Sequence, residues 1–328
     1  MTWLITGGAG YIGAHIVHQS ISSGRDVIVI DDLSTGIAAK LPSDIPLVVA
    51  NLNDAKAVEQ VFNDYQISGV LHTAARKQVG ESVERPLYYW EENVGGFTNL
   101  LASMQQHNVK NLVFSSSAAV YGQPELDLNA SISESELCNP INPYGATKLA
   151  GEWMAAALAK SDGFKVVSLR YFNVAGAAAN ELGDTFALNL IPIVMQAISR
   201  GEQPKIFGAD YPTPDGTCIR DYLHVQDLAE AHVAAMDLVD NGSAGFQAIN
   251  LGTGNGTSVK EVIEIISEIT GQVITPELAP RRAGDPPALV ANPGLARDVL
   301  NWSSRFELTQ MVQSAWAAWS SKASSPWQ

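Results

Sequence analysis

Residues Thr2–Gly13 read TWLITGGAGYIG, five β-prone residues that run straight into a glycine-rich turn. Tyr11–Ser22, which follows, has helical character. Glycines at Gly7, Gly10 and Gly13 let backbone N–H groups approach a pyrophosphate, and a helix opening at Tyr11 and Ile12 adds the partial positive charge of its N-terminus. The next apolar run, Asp26–Asp31 (DVIVID), ends in a carboxylate 18 residues past Gly13. An acidic residue there accepts hydrogen bonds from adenosine ribose hydroxyls and repels a 2′-phosphate, which predicts NAD rather than NADP. Asp32 is placed to share the ribose role.

The pattern repeats along the chain. Leu47–Ala50, Gly69–Thr73, Asn111–Ser115 and Lys165–Leu169 read as further strands. Asp54–Tyr65 and the stripe Val94, Phe97, Leu100, Leu101, Met104 read as helices. Continuous apolar strands alternating with amphipathic helices predict an α/β fold, a Rossmann-like doubly wound parallel sheet covered on both faces. After about Asn173 the pattern changes. Pro204–Pro214 is rich in Pro, Gly and Asp, Ser258–Thr270 is helical, Pro276–Pro287 reads as a Pro/Arg loop, and Leu308–Trp319 reads as a last helix before a frayed Ser-rich tail from Ser320. Ala248–Leu251 looks like a strand returning to the main sheet. The expected division is therefore 1–172 plus about 225–251 as an NAD-binding domain. About 173–224 plus 252–328 then form a smaller, interwoven C-terminal substrate lobe.

Composition narrows the function. The 328 residues carry 20 basic and 34 acidic side chains, a net charge of −14. That field repels nucleic acid and anionic membrane surfaces, while a few local arginines can still hold a small anion. No apolar run reaches 18 residues and Met1 leads at once into a strand-like run, so neither a transmembrane helix nor a secretory signal is expected. Cys138 and Cys218 make no metal pattern and read as reduced thiols of a cytoplasmic protein. The six histidines show no metal spacing, so no metal site is expected. His15 and His18 read as surface or packing residues, and the tryptophans toward the C-terminus as packing residues.

Tyr144 and Lys148 form Y-x-x-x-K at the start of a helical stretch, a spacing that puts both on one face. A phenol with pKa near ~10 becomes a base at neutral pH only beside positive charge. An ammonium four residues on and an oxidised nicotinamide supply it. Ser115-Ser116-Ser117 ends the fifth strand, where ligands of open α/β sheets sit. Local chemistry does not select among the three serines.

These motifs together resemble the extended short-chain dehydrogenase/reductase family and, more narrowly, its UDP-glucose 4-epimerase branch over nearly the whole chain. The match rests on TGGAGYIG at Thr6–Gly13, KQVGES at Lys77–Ser82, FSSSAAVYG at Phe114–Gly122, NPYGATK at Asn142–Lys148, LRYFNVAGA at Leu169–Ala177 and APRRAGDPPA at Ala279–Ala288. The long block IFGADYPTPDGTCIRDYLHVQDLA at Ile206–Ala229 is the most specific. The resemblance implies that Tyr144 is the base and acid, Lys148 its partner on the nicotinamide ribose, and Ser117 the hydrogen-bond donor to the reacting oxygen. It implies cofactor contacts from Asn51 near the adenine, Lys77 near the pyrophosphate, Phe172 near the nicotinamide, and also Leu52 and Asn93. It places Asn173, Asn189, Arg220, Arg282 and Asp285 around a UDP-hexose and Lys205, Ile206 and Phe207 along the uracil. Forked guanidinium donors suit a diphosphate even in an acidic protein. A homodimer through Val94–Met104 and Leu149–Leu158 is also implied.

Several positions depart from the family. Asn51 stands where Asp is frequent, and Ala119 where a hydroxyl residue is common. Ala177–Asp184 is looser than usual. Leu289 replaces a Tyr found in some members, which leaves room for an N-acetyl group and predicts activity on UDP-GlcNAc and UDP-GalNAc beside UDP-glucose and UDP-galactose. A UDP-pentose or UDP-uronate 4-epimerase and an idle NAD-binding regulator are the competing readings. A dehydratase needs acid/base groups where Ala118 and Ala119 stand. A dehydrogenase forming a uronic acid needs a cysteine nucleophile, which neither Cys138 nor Cys218 matches.

Overall fold

A computed structural model of the chain describes residues 1–124, 127, 130–242, 245–282 and 285–323. Chain order begins with β1 (Thr2–Thr6), α1 (Tyr11–Ser22), β2 (Asp26–Asp31), β3 (Leu47–Val49), α2 (Ala55–Asp64) and β4 (Ile67–His72). It continues through α3 (Val79–Glu84), α4 (Pro86–Trp90), a π-helical turn at Glu91–Gly95, α5 (Gly96–Gln106), β5 (Asn111–Ser115), α6 (Pro143–Asp162), β6 (Lys165–Tyr171) and β7 (Asn173–Ala175). Then come α7 (Leu190–Arg200), β8 (Lys205–Phe207), β9 (Ile219–His224), α8 (Val225–Asp240), β10 (Gly245–Leu251), β11 (Gly256–Ser258) and α9 (Val259–Thr270). The chain closes with β12 (Glu277–Ala279), β13 (Ala288–Leu289), α10 (Gly294–Leu300) and α11 (Leu308–Ala323).

Seven parallel strands form the main sheet in the order β10-β6-β5-β4-β1-β2-β3. Successive residues of a strand point to opposite faces, so a strand buried on both sides must be apolar throughout. Thus Trp3 and Ile5 of β1 enter one core with Ile16, Val17 and Met236, and Leu4 between them enters the other with Val58, Phe97 and Phe164. Strand order reverses at β1, which pairs with both β2 and β4. The crevice outside the carboxyl ends of β1 and β4 is where such sheets bind ligands.

The sequence reading places β1, α1, β2 and β5 at their observed bounds. β4 starts two residues earlier than expected, β6 extends to Tyr171, and β10 begins at Gly245. Helix α7 has no counterpart in the sequence pattern, because Pro192 reads as a breaker, although a proline is tolerated in a first turn. The expected Pro/Arg loop contains β12, which pairs with β8. Helix α11 continues to Ala323, through the start of the expected frayed tail; 324–328 lie outside the described residues. A third core joins Ile191, Met195, Ile206, Val262, Ile266 and Val312. Ala296, Leu300 and Trp302 pack back into the first core instead.

Candidate active site

A cleft of about 560 Å³ opens at the carboxyl ends of β1, β4 and β5. Gly7, Gly10, Tyr11, Ile12 and Gly13 form its floor. Gly7 has φ +69°, and a Cβ on Gly13 would lie 2.0 Å from the Gly7 carbonyl oxygen, so the turn is closed to any side chain. Gly10 caps α1 without a side-chain hydrogen bond, which leaves the first-turn N–H groups of that helix for an anion. A Gly7 Cβ would also meet Ala74 N at 2.7 Å, so β4 and the turn close together.

Asp31 is buried at the edge of this floor. It accepts the Ala9 N–H at 2.9 Å and the Leu33 N–H at 2.8 Å, and burial pushes its carboxyl above the usual range. It thus braces the glycine turn as well as lining the cleft. Asp32 belongs to a polar ring that the sequence did not reveal. Arg76 donates to Asp32 at 2.9 Å and to Glu92 at 2.8 Å, and Asn51 donates to both carboxylates at 3.1 and 3.3 Å. These four residues come from four separate segments, so no spacing pattern links them. Asn93 is buried and binds both the N–H and the carbonyl of Arg76, and also Thr147. Lys77 lines the cleft exposed, and Leu52 and Phe172 line it buried.

Helix α6 carries the Tyr–Lys pair. Pro143 stands at its start and Asn142 caps it by accepting the Gly145 N–H at 2.9 Å. Tyr144 and Lys148 are both buried on the cleft wall. Lys148 Nζ donates to the Ser115 carbonyl at 2.7 Å and lies 5.1 Å from the Phe114 ring centroid. Burial raises the Tyr144 pKa, opposed by a hydrogen bond with Ser117. Burial lowers the Lys148 pKa to about 7, opposed by Glu152.

The three serines take three directions. His232 Nδ1 faces the Leu228 carbonyl at 2.8 Å and carries the proton, so Nε2 accepts from Ser115 Oγ at 2.8 Å. Ser116 Oγ donates to Glu152 at 2.6 Å. Ser117 lines the cleft, accepts the Ala119 N–H at 3.1 Å and meets Tyr144. Of the three serines only Ser117 lines the cleft.

Of the residues expected around a sugar nucleotide, Ser117, Tyr144, Asn173, Asn189, Asp285 and Leu289 line the same cleft. Arg220 lies behind that wall, paired with Asp285. Arg282 is exposed and stacks its guanidinium 4.0 Å over the half-buried Phe207 ring. Ile206 is buried in the third core, and Lys205 pairs with Glu277 at 3.5 Å on the surface. The packing expectation for the histidines fits His15, which is buried, faces the Tyr11 carbonyl at 2.8 Å and accepts the Ala178 N–H at 3.1 Å. Trp302 is likewise buried, donating to the Asp227 carbonyl.

Comparison with known proteins identifies the family. Residues 3–252 match the NAD dependent epimerase/dehydratase family. A UDP-glucose 4-epimerase of Corynebacterium glutamicum is 44% identical over 97% of this chain and 95% of its own length. One from Halalkalibacterium halodurans is 46% identical over 96% and 95%. The crystal structure of UDP-glucose 4-epimerase from Stenotrophomonas maltophila with bound NAD and formylated UDP-arabinopyranose superposes with a TM-score of 0.93, at 36% identity over 98% of this chain and 99% of that one. The chain belongs to the NAD dependent epimerase/dehydratase family and, within it, to the UDP-glucose 4-epimerases.

Proposed function

We propose that the protein interconverts UDP-galactose and UDP-glucose, an isomerase reaction with NAD as its cofactor. The observation that carries this reading is the meeting of Tyr144 and Ser117 on the wall of the glycine-floored cleft, with buried Lys148 one helical turn along. The floor fits a dinucleotide: its glycines form a cradle that a Cβ would fill, and the α1 N-terminus offers free N–H groups to a pyrophosphate. When bound, NAD accepts the hydride from sugar C4 and returns it.

This chain's residues do the rest. Tyr144 takes the 4-OH proton and later gives it back, and Ser117 steadies the reacting oxygen. Burial raises the Tyr144 pKa in the free protein, so ionisation draws on the Lys148 ammonium together with the positive charge that the cofactor brings into the cleft. Asp31, Asp32 and Asn51 hold the adenosine end, Asn93, Phe172 and Lys77 the remainder. The family resemblance assigns the diphosphate to Arg220 and Arg282 and the uracil side to Phe207, which requires Arg220 to exchange its Asp285 partner for phosphate, since none of the three lines the cleft as it stands. Asn173, Asn189 and Leu289 surround the sugar with few charges, which leaves it free to turn between the two hydride transfers.

We assign the cofactor to 1–172 with about 225–251, and the nucleotide sugar to about 173–224 with 252–328, whose α10 rests on the first core. A homodimer is supported by the outer faces of α3, α4 and α6, where Val83, Leu87, Trp90 and Trp153 are exposed. The helix stripe Phe97, Leu100, Leu101 and Met104 is core. Among the described residues no helix is long and apolar enough to cross a membrane, and both cysteines are free. A cytoplasmic site of action agrees with the free thiols.

The deciding experiment incubates purified protein with UDP-galactose, without added NAD, and resolves the UDP-sugars by chromatography. UDP-glucose without accumulating NADH is the expected result. No product even with added NAD, and inert UDP-glucose, overturns the reading.

A further inference from the structure

Behind the cleft wall formed by α6 and β6 lies a buried ion pair that the reaction as described does not use. Glu152 and Arg170 are 3% and 6% exposed. Arg170 Nε and Nη2 donate to the two Glu152 oxygens at 2.9 and 2.6 Å, a forked pairing. The same carboxylate accepts from Ser116 Oγ at 2.6 Å and from Ser168 Oγ at 3.0 Å. Four hydrogen bonds therefore converge on this one side chain of α6, three from β6 and one from the residue that follows β5. A buried pair of this kind is weak evidence for stability, since apolar replacements are often as stable. Its position points to another role. Glu152 stands one turn after Lys148 on α6, Ser116 stands between the serine that anchors Lys148 and the serine that meets Tyr144, and Arg170 leads directly into Tyr171 and Phe172 on the cleft wall.

We propose that Glu152 is a positioning residue for the epimerase reaction: clamped by Arg170, its carboxylate fixes the Ser115–Ser117 turn through Ser116 and supplies the negative charge that keeps Lys148 cationic in a dry site. This deepens the epimerase reading and rests on it. The other groups around Lys148 do not substitute for Glu152. His72 on β4 is neutral, held well below its usual pKa by burial. Ser115 offers only a carbonyl, and Phe114 a ring face. Tyr171 on β6, Tyr89 on α4 and Tyr144 itself are phenols pushed upward by burial. Arg170 is cationic, is paired with Glu152 and brings no negative charge to the site. Burial alone drives Lys148 down, and Glu152 is the group that raises it.

The test compares kcat–pH profiles on UDP-galactose for wild type, Glu152→Gln and Arg170→Met, with thermal melting of each. Gln keeps an acceptor for Ser116 and Ser168 but removes the charge, so the basic limb of the profile moves down by about one pH unit. Met leaves Glu152 unpaired, so the limb moves up by a similar amount. Opposite shifts are the expected result, and a merely structural role does not produce them. Two variants that lose kcat and melt earlier with an unmoved limb overturn the proposal. If Glu152→Gln does not fold, the double variant Glu152→Gln/Arg170→Met, free of any unpaired buried charge, takes its place. Its limb is expected below that of Arg170→Met, and coincidence of the two overturns the proposal. A wild-type protein inert toward UDP-galactose would instead refute the epimerase reading on which this one rests.

Discussion

Lys148 Nζ donates to the Ser115 carbonyl at 2.7 Å, so the ammonium one turn from Tyr144 is tied to the end of strand β5. A long, flexible side chain is thereby held at one place on the cleft wall, and helix α6 cannot shift along the sheet without breaking that bond. The cation and the phenol keep a constant relation.

Removing the phenol isolates the chemical step. Tyr144→Phe is expected to lower kcat by roughly 10²–10⁴. Ser117→Ala loses one hydrogen bond and costs about tenfold. Calorimetric titration of both variants with NAD should give near wild-type affinity. Retained turnover in Tyr144→Phe would remove it from the role of base.

Gly13→Ala tests the cofactor floor. A Cβ 2.0 Å from the Gly7 carbonyl oxygen forces the turn to open. Overpacking of this kind costs about 1–3 kcal/mol, which predicts NAD affinity weaker by roughly 5- to 150-fold. The check is the NAD content of the purified variant and its titration with fresh NAD; wild-type retention would mean the turn is not where NAD binds.

Acid sensitivity follows from buried histidines. Burial holds His15, His224 and His232 down at about 4. Each also uses one ring nitrogen as an acceptor, His15 for the Ala178 N–H, His224 for the Gln226 N–H and His232 for Ser115. Their unfolded-state pKa is near ~6.5, so between those values the unfolded chain binds more protons. Stability is therefore full above about pH 6.5 and is lost as pH falls toward 4, by roughly 3 kcal/mol per histidine. Melting temperature should drop steeply over this range. His224→Asn keeps a cap acceptor without titrating and should shallow the slope. An unchanged slope would show that other groups govern acid unfolding.

Leu289 lines the cleft half-buried. Wild type is expected to epimerise UDP-GlcNAc as well as UDP-galactose. Leu289→Tyr should cut kcat/KM for UDP-GlcNAc by about tenfold or more relative to UDP-galactose. Equal losses on both sugars would place the N-acetyl group elsewhere.

The central sheet, the glycine turn and the Tyr144–Lys148 pair were legible in the chain itself, because each is local. Apolar runs spell strands buried on both faces, and a spacing of four puts two side chains on one helix face. Three neighbouring serines were indistinguishable at that level. Folding separated them, since His232 lies 117 residues from Ser115, and Glu152 lies 36 from Ser116. The ring of Asp32, Asn51, Arg76 and Glu92 has the same character, as has the return of Ala296–Trp302 to the first core. Periodicity and short motifs report what a residue shares with its chain neighbours. Which polar groups satisfy one another once water is excluded depends on segments brought together from far apart, and only the tertiary structure decides that.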